Sequence, residues 1–111
     1  MPIMIPGDWE KPKRAKYGNA ITVVDGIKFH SKKEANHYAV NQLRVREGEL
    51  LYFLRQVPIY LPGGVKYVCD FVEFTKDGQV KYVDTKGHRT RSFIDKKKMV
   101  EALYPIKIRE V

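Results

Sequence analysis

Apolar residues change their spacing several times along this chain of 111 residues, and each change marks an element. The runs 21–24 and 27–29 flank Asp25-Gly26, a pair suited to the positive φ angles of a tight hairpin turn. Ser31 can then cap a helix, with Glu34 three residues on completing a capping box. Ala35, Tyr38, Ala39 and Leu43 recur at helical spacing, so that helix should run to about Gly48. Residues 51–61 are rich in strand formers and end at Pro62-Gly63-Gly64. The segments 65–75 and 79–86 read as a hairpin around Asp77-Gly78. A helical period returns over 92–103 through Phe93, Ile94, Met99, Val100 and Leu103, and Pro105 permits a short last strand over 106–110. Residues 1–18 follow neither period. With three Pro, two Gly and the cluster Lys11, Lys13, Arg14 and Lys16, they predict an irregular basic arm, either a solvated tail or a DNA contact in which Trp9 and Tyr17 anchor or stack. The order predicts one α+β domain over 19–111: a short hairpin, a helix, a three-stranded meander, a helix and a strand.

The central hairpin has two candidate registers. A two-residue turn at Asp77-Gly78 sets Phe74 opposite Lys81 and Glu73 opposite Tyr82, which match poorly. A three-residue loop, Lys76-Asp77-Gly78, with Gly78 in the left-handed bulge position, pairs Thr75 with Gln79. Phe74 then faces Val80, Val72 faces Tyr82, and Glu73 faces Lys81 as opposite charges. Such cross-strand matches favour the second register by about a kcal/mol or more. In that register Asp70 lies opposite Asp84, and Lys86 shares their face with Val68, Val72, Phe74, Val80 and Tyr82. Two facing carboxylates repel, so one must hold a proton or a cation must join them.

Composition narrows the partner. The 21 Lys and Arg against 13 Asp and Glu give a formal charge of +8, which favours a polyanion. The basic residues fall in separate clusters rather than along one amphipathic helix, which favours nucleic acid over an anionic membrane. No apolar run approaches the roughly 18 residues of a membrane span. The start carries no basic segment followed by an apolar one, and the lone Cys69 suits a reducing compartment. A soluble, cytoplasmic protein is therefore expected, with Cys69 as a small buried hydrophobe.

Two carboxylates beside an ammonium suit phosphodiester hydrolysis. That reaction needs an activated water and positive charge at the transition state, and Mg²⁺ supplies both. As a hard cation it prefers oxygens, here Asp70, Asp84 and the Thr85 carbonyl, while Lys86 could orient water or neutralise charge. Glu34 could add a ligand or position water from the first helix.

Asp70 followed by Asp84-Thr85-Lys86 on the next strand, with an acidic residue on the preceding helix, resembles the PD-(D/E)xK nuclease superfamily, whose core element order is also similar. More narrowly, Lys16-Tyr17-Gly18-Asn19, Val24-Asp25-Gly26-Ile27-Lys28-Phe29, Ser31-Lys32-Lys33-Glu34-Ala35 and Asp84-Thr85-Lys86-Gly87 are similar to a family of small phage and prophage proteins that is assigned to that superfamily. The resemblance runs from Lys16 onward. It implies a restriction-endonuclease-like core, an Mg²⁺ or Mn²⁺ cofactor, a DNA substrate and a place in the bacterial host cytoplasm. It also implies catalytic roles for Glu34, Asp70, Asp84 and Lys86. Gln56 with Tyr60 resembles the Gln-x-x-x-Tyr element of some members. Two positions depart from the pattern: Cys69 precedes Asp70 where Pro is common, and His30 stands where the narrower group has Asp.

Plainer readings stand beside these. Glu34 is fully explained as a capping-box partner, Asp84 with Lys86 as a strand-end ion pair, and Gln56 and Tyr60 as ordinary strand residues. Lone histidines are more often surface or packing residues, so His37 and His88 are left out of the catalytic set. Arg89, Thr90, Arg91, Lys96, Lys97 and Lys98 follow the carboxylates and are candidates for phosphate contact, although a solvated helix face is the default for such a run. The expectation is a metal-dependent DNA endonuclease reading backbone and shape, of Holliday-junction-resolvase or nicking type, acting on double-stranded or branched DNA. A resolvase would form a homodimer. The alternative is a non-catalytic nucleic-acid-binding or regulatory protein on a nuclease-like fold.

Overall fold

The computed structural model describes residues 13–14, 20–86 and 88–111, and the chain divides into two units, one ending at Glu49 and the other beginning at Leu50. Most of the arm expected over 1–18, with Trp9, Lys11, Lys16 and Tyr17, lies outside the described residues. Within it, Lys13–Arg14 form a two-residue strand, β1.

In the first unit β1 pairs with β2 (Ala20–Val24), which pairs antiparallel with β3 (Ile27–Phe29). Asp25 and Gly26 join them with φ of 53° and 75°. Two consecutive left-handed residues are the requirement of the hairpin turn that the sequence predicted. Helix α1 (Lys32–Arg46) begins where Ser31 Oγ accepts the Glu34 amide at 3.3 Å. It ends before Gly48, whose φ of 80° lets the chain leave the helix at low steric cost. Ala35, Tyr38 and Ala39 form its buried face. Tyr38 packs its ring 5.3 Å from that of Phe29, and Asp25 Oδ2 accepts from the Tyr38 hydroxyl at 3.0 Å and from Gln42 Nε2 at 3.2 Å. The hairpin turn is thereby tied to the helix.

The second unit is a four-stranded sheet in the order β4 (Leu50–Tyr60), β5 (Lys66–Thr75), β6 (Val80–Asp84), β7 (Ile108–Glu110). The first three strands run antiparallel; β6 and β7 are parallel, so a crossover is needed, and α2 (Arg91–Leu103) supplies it. At the central hairpin the Thr75 amide donates to Gln79 O at 2.9 Å and the Gly78 amide to Thr75 O at 3.1 Å, with Gly78 at φ 87°. Phe74 faces Val80, Glu73 faces Lys81 and Val72 faces Tyr82, so the register is that of the three-residue loop. Among the described residues two α-helices and mixed sheets make an α+β fold. Among the described residues no helix is long and apolar enough to cross a membrane.

The core of this unit gathers Ile59, Leu61, Tyr67, Cys69, Val72, Phe93, Val100 and Ile108, with Phe74, Tyr82 and Ile106 against it. Here the structure departs from strict alternation. Val80, expected on the apolar face shared with Asp70 and Asp84, is 46% exposed, and Val68 lies outside the cluster while Tyr67 and Cys69 enter it. Core positions 67 and 69 are followed by 72, so the period of two slips by one residue at Asp70–Phe71. The slip coincides with Gln56, which lies across from Asp70 between the pairs Arg55–Phe71 and Val57–Cys69 and adopts a φ of 51°. A left-handed residue inside a strand interrupts the pleat much as a bulge does.

Candidate functional site

The β5–β6 ladder ends at the pair Phe71–Val83, and beyond it the two strands are joined by side chains. The Asp70 amide donates to Asp84 Oδ1 at 3.0 Å. In return Asp70 Oδ2 accepts the Thr85 amide and the Thr85 hydroxyl, both at 3.0 Å. Gln56 Nε2 donates to Asp70 Oδ1 at 3.3 Å, and Lys86 Nζ stands 3.9 Å from Asp70 Oδ2. The Lys86 ammonium also lies 5.5 Å from the centre of the Phe93 ring, a cation–π position that ties it to α2.

Both carboxylates are buried, Asp70 at 6% exposure and Asp84 at 0%. Their accounts differ. Both oxygens of Asp70 accept hydrogen bonds, whereas Asp84 Oδ2 is buried with no hydrogen-bond partner among the described residues. Burial pushes the Asp84 carboxyl above its ordinary range; the bond from the Asp70 amide and the charges of Lys86 and Lys97 oppose this, and the charge of Glu110 adds to it. Sequence reasoning expected a cation to relieve two facing carboxylates. The main-chain amides of residues 70 and 85 supply part of that relief without one.

Cys69 is fully buried beside this centre, and its thiol donates to Phe71 O at 3.2 Å and Val83 O at 3.5 Å. Burial, together with the charge of Asp70, pushes its pKa up to about 11. It is the small buried hydrophobe that the sequence predicted, and an inert one.

The sequence profile of a family described as "Protein of unknown function (DUF1064)" matches residues 14–110. The chain belongs to that family. No curated protein matches it.

Of the residues nominated from sequence, this DUF1064 chain brings Asp70, Asp84, Thr85, Lys86 and Gln56 together. Thr85 contributes through its amide and hydroxyl, which orient Asp70. Tyr60 does not join them: its side chain is 69% exposed, and its carbonyl accepts from the Tyr104 hydroxyl. Glu34 is half-buried at the third position of α1, in the first unit, where its amide serves the Ser31 cap. Among the described residues no group of three or more His, Cys, Asp and Glu side chains is placed so that it could hold a metal ion.

The basic residues beyond Lys86 divide by role. Thr90 caps α2, its Oγ1 accepting the Phe93 amide at 3.1 Å. Arg89 and Lys97 both reach Glu110, at 2.9 Å and 2.8 Å, and Arg91 pairs with Asp95 at 3.2 Å along the helix surface. Lys98 is exposed, and Lys96 is partly so and lines a cleft beside Lys86. Glu110 escaped the sequence reading. It faces Asp84 only because β7 runs parallel to β6, a pairing that no short-range pattern encodes. Lys66, Tyr67 and Ser92, which line the cleft, were missed for the same reason.

Proposed function

We propose that this chain is a metal-dependent DNA endonuclease built on a restriction-endonuclease-like core, with Asp70 and Asp84 as cation ligands. One observation carries the reading. Two acidic side chains meet across adjacent strands beside an ammonium, and one carboxylate oxygen, Asp84 Oδ2, is buried with no hydrogen-bond partner among the described residues. A buried carboxyl oxygen without a partner is costly to keep, and such groups with perturbed titration cluster at functional sites. The donors are hard oxygens, which fits Mg²⁺ or Mn²⁺ and not a softer metal. The element order of hairpin, helix, three-stranded meander, helix and strand supports the same reading.

In this scheme Asp70 Oδ1, Asp84 Oδ2 and the Thr85 carbonyl would hold the cation. When bound, such a cation supplies an activated water and positive charge at the scissile phosphate. The chain's own groups do the rest. Thr85 and Gln56 keep the Asp70 carboxylate in one orientation. Lys86 opposes negative charge developing on the phosphate, and Phe93 fixes the position of its ammonium. Arg91, Lys96 and Lys98 contact flanking phosphates, whereas Arg89 and Lys97 are already committed to Glu110 and hold β7 against the site. The substrate is double-stranded or branched DNA in the bacterial cytoplasm, and a junction-resolving form works as a homodimer.

The complete burial of Asp84 favours one rival, a nucleic-acid-binding protein that does not cut. Supercoiled plasmid, nicked and flap duplexes and a four-way junction, each with Mg²⁺, Mn²⁺ or EDTA, separate the two. Cleavage only with metal supports the nuclease. DNA that is shifted in a gel but left intact under every condition supports the rival.

A further inference from the structure

Beside Lys86 the second unit opens into a cleft of about 440 Å³. Its lining includes Lys66, Lys86 and Lys96, the hydroxyl-bearing Thr90 and Ser92 at the start of α2, and Tyr67; among the described residues no Asp or Glu lines it. Lys86 shares its charge with Asp70 at 3.9 Å. Lys66 and Lys96 have no ion-pair partner among the described residues. Tyr67 is 3% exposed, and its phenol oxygen is buried with no hydrogen-bond partner among the described residues. Buried polar groups are rarely left without a partner, and a water, an ion or a ligand group in the cleft is what would complete this one. Two uncommitted ammonium groups in one cleft repel each other, and an anion between them would reverse the sign of that interaction.

We propose that this cleft holds the phosphorylated end of a polynucleotide strand. The charge of the site distinguishes an end from an internal phosphate. A phosphodiester carries one negative charge, whereas a terminal phosphomonoester, with a second pKa of about 6, carries nearly two at neutral pH. Lys66 and Lys96 together match the dianion, and Lys86 links the cleft to Asp70. The inference rests on the nuclease reading and narrows its substrate to DNA with a phosphorylated end at a nick, gap or flap.

The test titrates the full chain, in EDTA, with labelled oligonucleotides that differ only in carrying a 5′-phosphate, a 3′-phosphate or hydroxyls at both ends, with inorganic phosphate as competitor. One phosphorylated oligonucleotide should bind on the order of tenfold tighter than the hydroxyl-ended one, the scale of a charge-assisted hydrogen bond. Inorganic phosphate should compete for that increment, and Lys66→Gln and Lys96→Gln should each remove it, with Lys107→Gln as a control for lost charge in general. Equal affinity for all three ends overturns the proposal, as does a preference that survives in both cleft variants or falls equally in Lys107→Gln. EDTA keeps this titration apart from catalysis, which is read separately on plasmid and branched DNA with Mg²⁺ or Mn²⁺: cleavage there without end preference in EDTA sinks the cleft alone, and end preference in EDTA with no cleavage in either metal sinks the nuclease alone.

Discussion

Replacing Asp84 by Asn should stabilise the metal-free protein while removing its response to divalent cations. Asp84 is fully buried, one of its oxygens has no partner among the described residues, and burial raises its carboxyl pKa. A raised native pKa means that folding favours the protonated form. That contribution is complete below the ordinary carboxylate range and is lost as pH rises through the raised value, so toward neutral pH the wild type folds at a cost that a side chain unable to ionise does not bear. Asn keeps an acceptor for the Asp70 amide, which now bonds Asp84 Oδ1 at 3.0 Å, and cannot ionise. Relief of a buried polar group without a partner amounts to about 1–3 kcal/mol; less the desolvation of the new amide, about 1–2 kcal/mol remains. For a domain of this size that corresponds to roughly 4 °C per kcal/mol.

Thermal melts by circular dichroism in EDTA, from acid to neutral pH, read this directly. The two proteins should melt together at low pH and separate as pH rises, with Asp84→Asn the higher. Adding Mg²⁺ at about 100 times its dissociation constant should then raise the wild type by about 2.7 kcal/mol and leave the variant unmoved. The control is Asp70→Asn. Its oxygens accept from Gln56 and from both donors of Thr85, so an amide there sets donor against donor and should destabilise by about 1–3 kcal/mol. An Asp84→Asn protein that melts below wild type in EDTA at neutral pH, or that responds to Mg²⁺ as wild type does, would overturn this expectation.

Three further outcomes follow. Gln56 holds a left-handed φ of 51°, a conformation costing about 1–2 kcal/mol for a residue with a side chain. Gln56→Gly should therefore stay within about 1 kcal/mol of wild type in chemical denaturation while cleavage falls, whereas β-branched Gln56→Val should lose about 2 kcal/mol; equal stability of the two would remove strain from the account. Cys69, with its pKa pushed up to about 11, should resist thiol reagents in the native protein at mildly alkaline pH and react at the ordinary rate once unfolded. A burst of native-state labelling would contradict its burial. Thr90→Ala deletes the cap of α2 and should cost about 1 kcal/mol in the same denaturation assay, with Thr90→Ser restoring most of it.

Local rules made much of this fold legible. Asp25-Gly26, Ser31, Gly48 and Gly78 each satisfy a turn or cap whose chemistry depends only on near neighbours. The register of the central hairpin followed from matching side chains across it, and with it the meeting of Asp70 and Asp84. What stayed hidden depends on distant chain. Strand β7 lies beside β6 only after α2 has crossed over, so neither Glu110 next to Asp84 nor its capture of Arg89 and Lys97 could be inferred from spacing. The slip in alternation at Asp70 was hidden too, because it coincides with an unusual φ at Gln56, a residue type with no bias toward it. Lys66, Tyr67 and Ser92 reach one cleft from a strand and a helix far apart in sequence. For Gln56 a faint signal existed in its likeness to a Gln-x-x-x-Tyr element, yet only the Gln of that pair reaches the carboxylates.

The decisive measurement is a titration of the full chain with Mn²⁺ followed by electron paramagnetic resonance, wild type beside Asp70→Asn and Asp84→Asn, with plasmid cleavage read from the same samples. Wild type should take up Mn²⁺ at a specific site and cut in proportion to occupancy, and both variants should lose binding and cleavage together. Specific Mn²⁺ uptake or cleavage that persists at wild-type level in Asp84→Asn would show that these two carboxylates are not the centre of a nuclease.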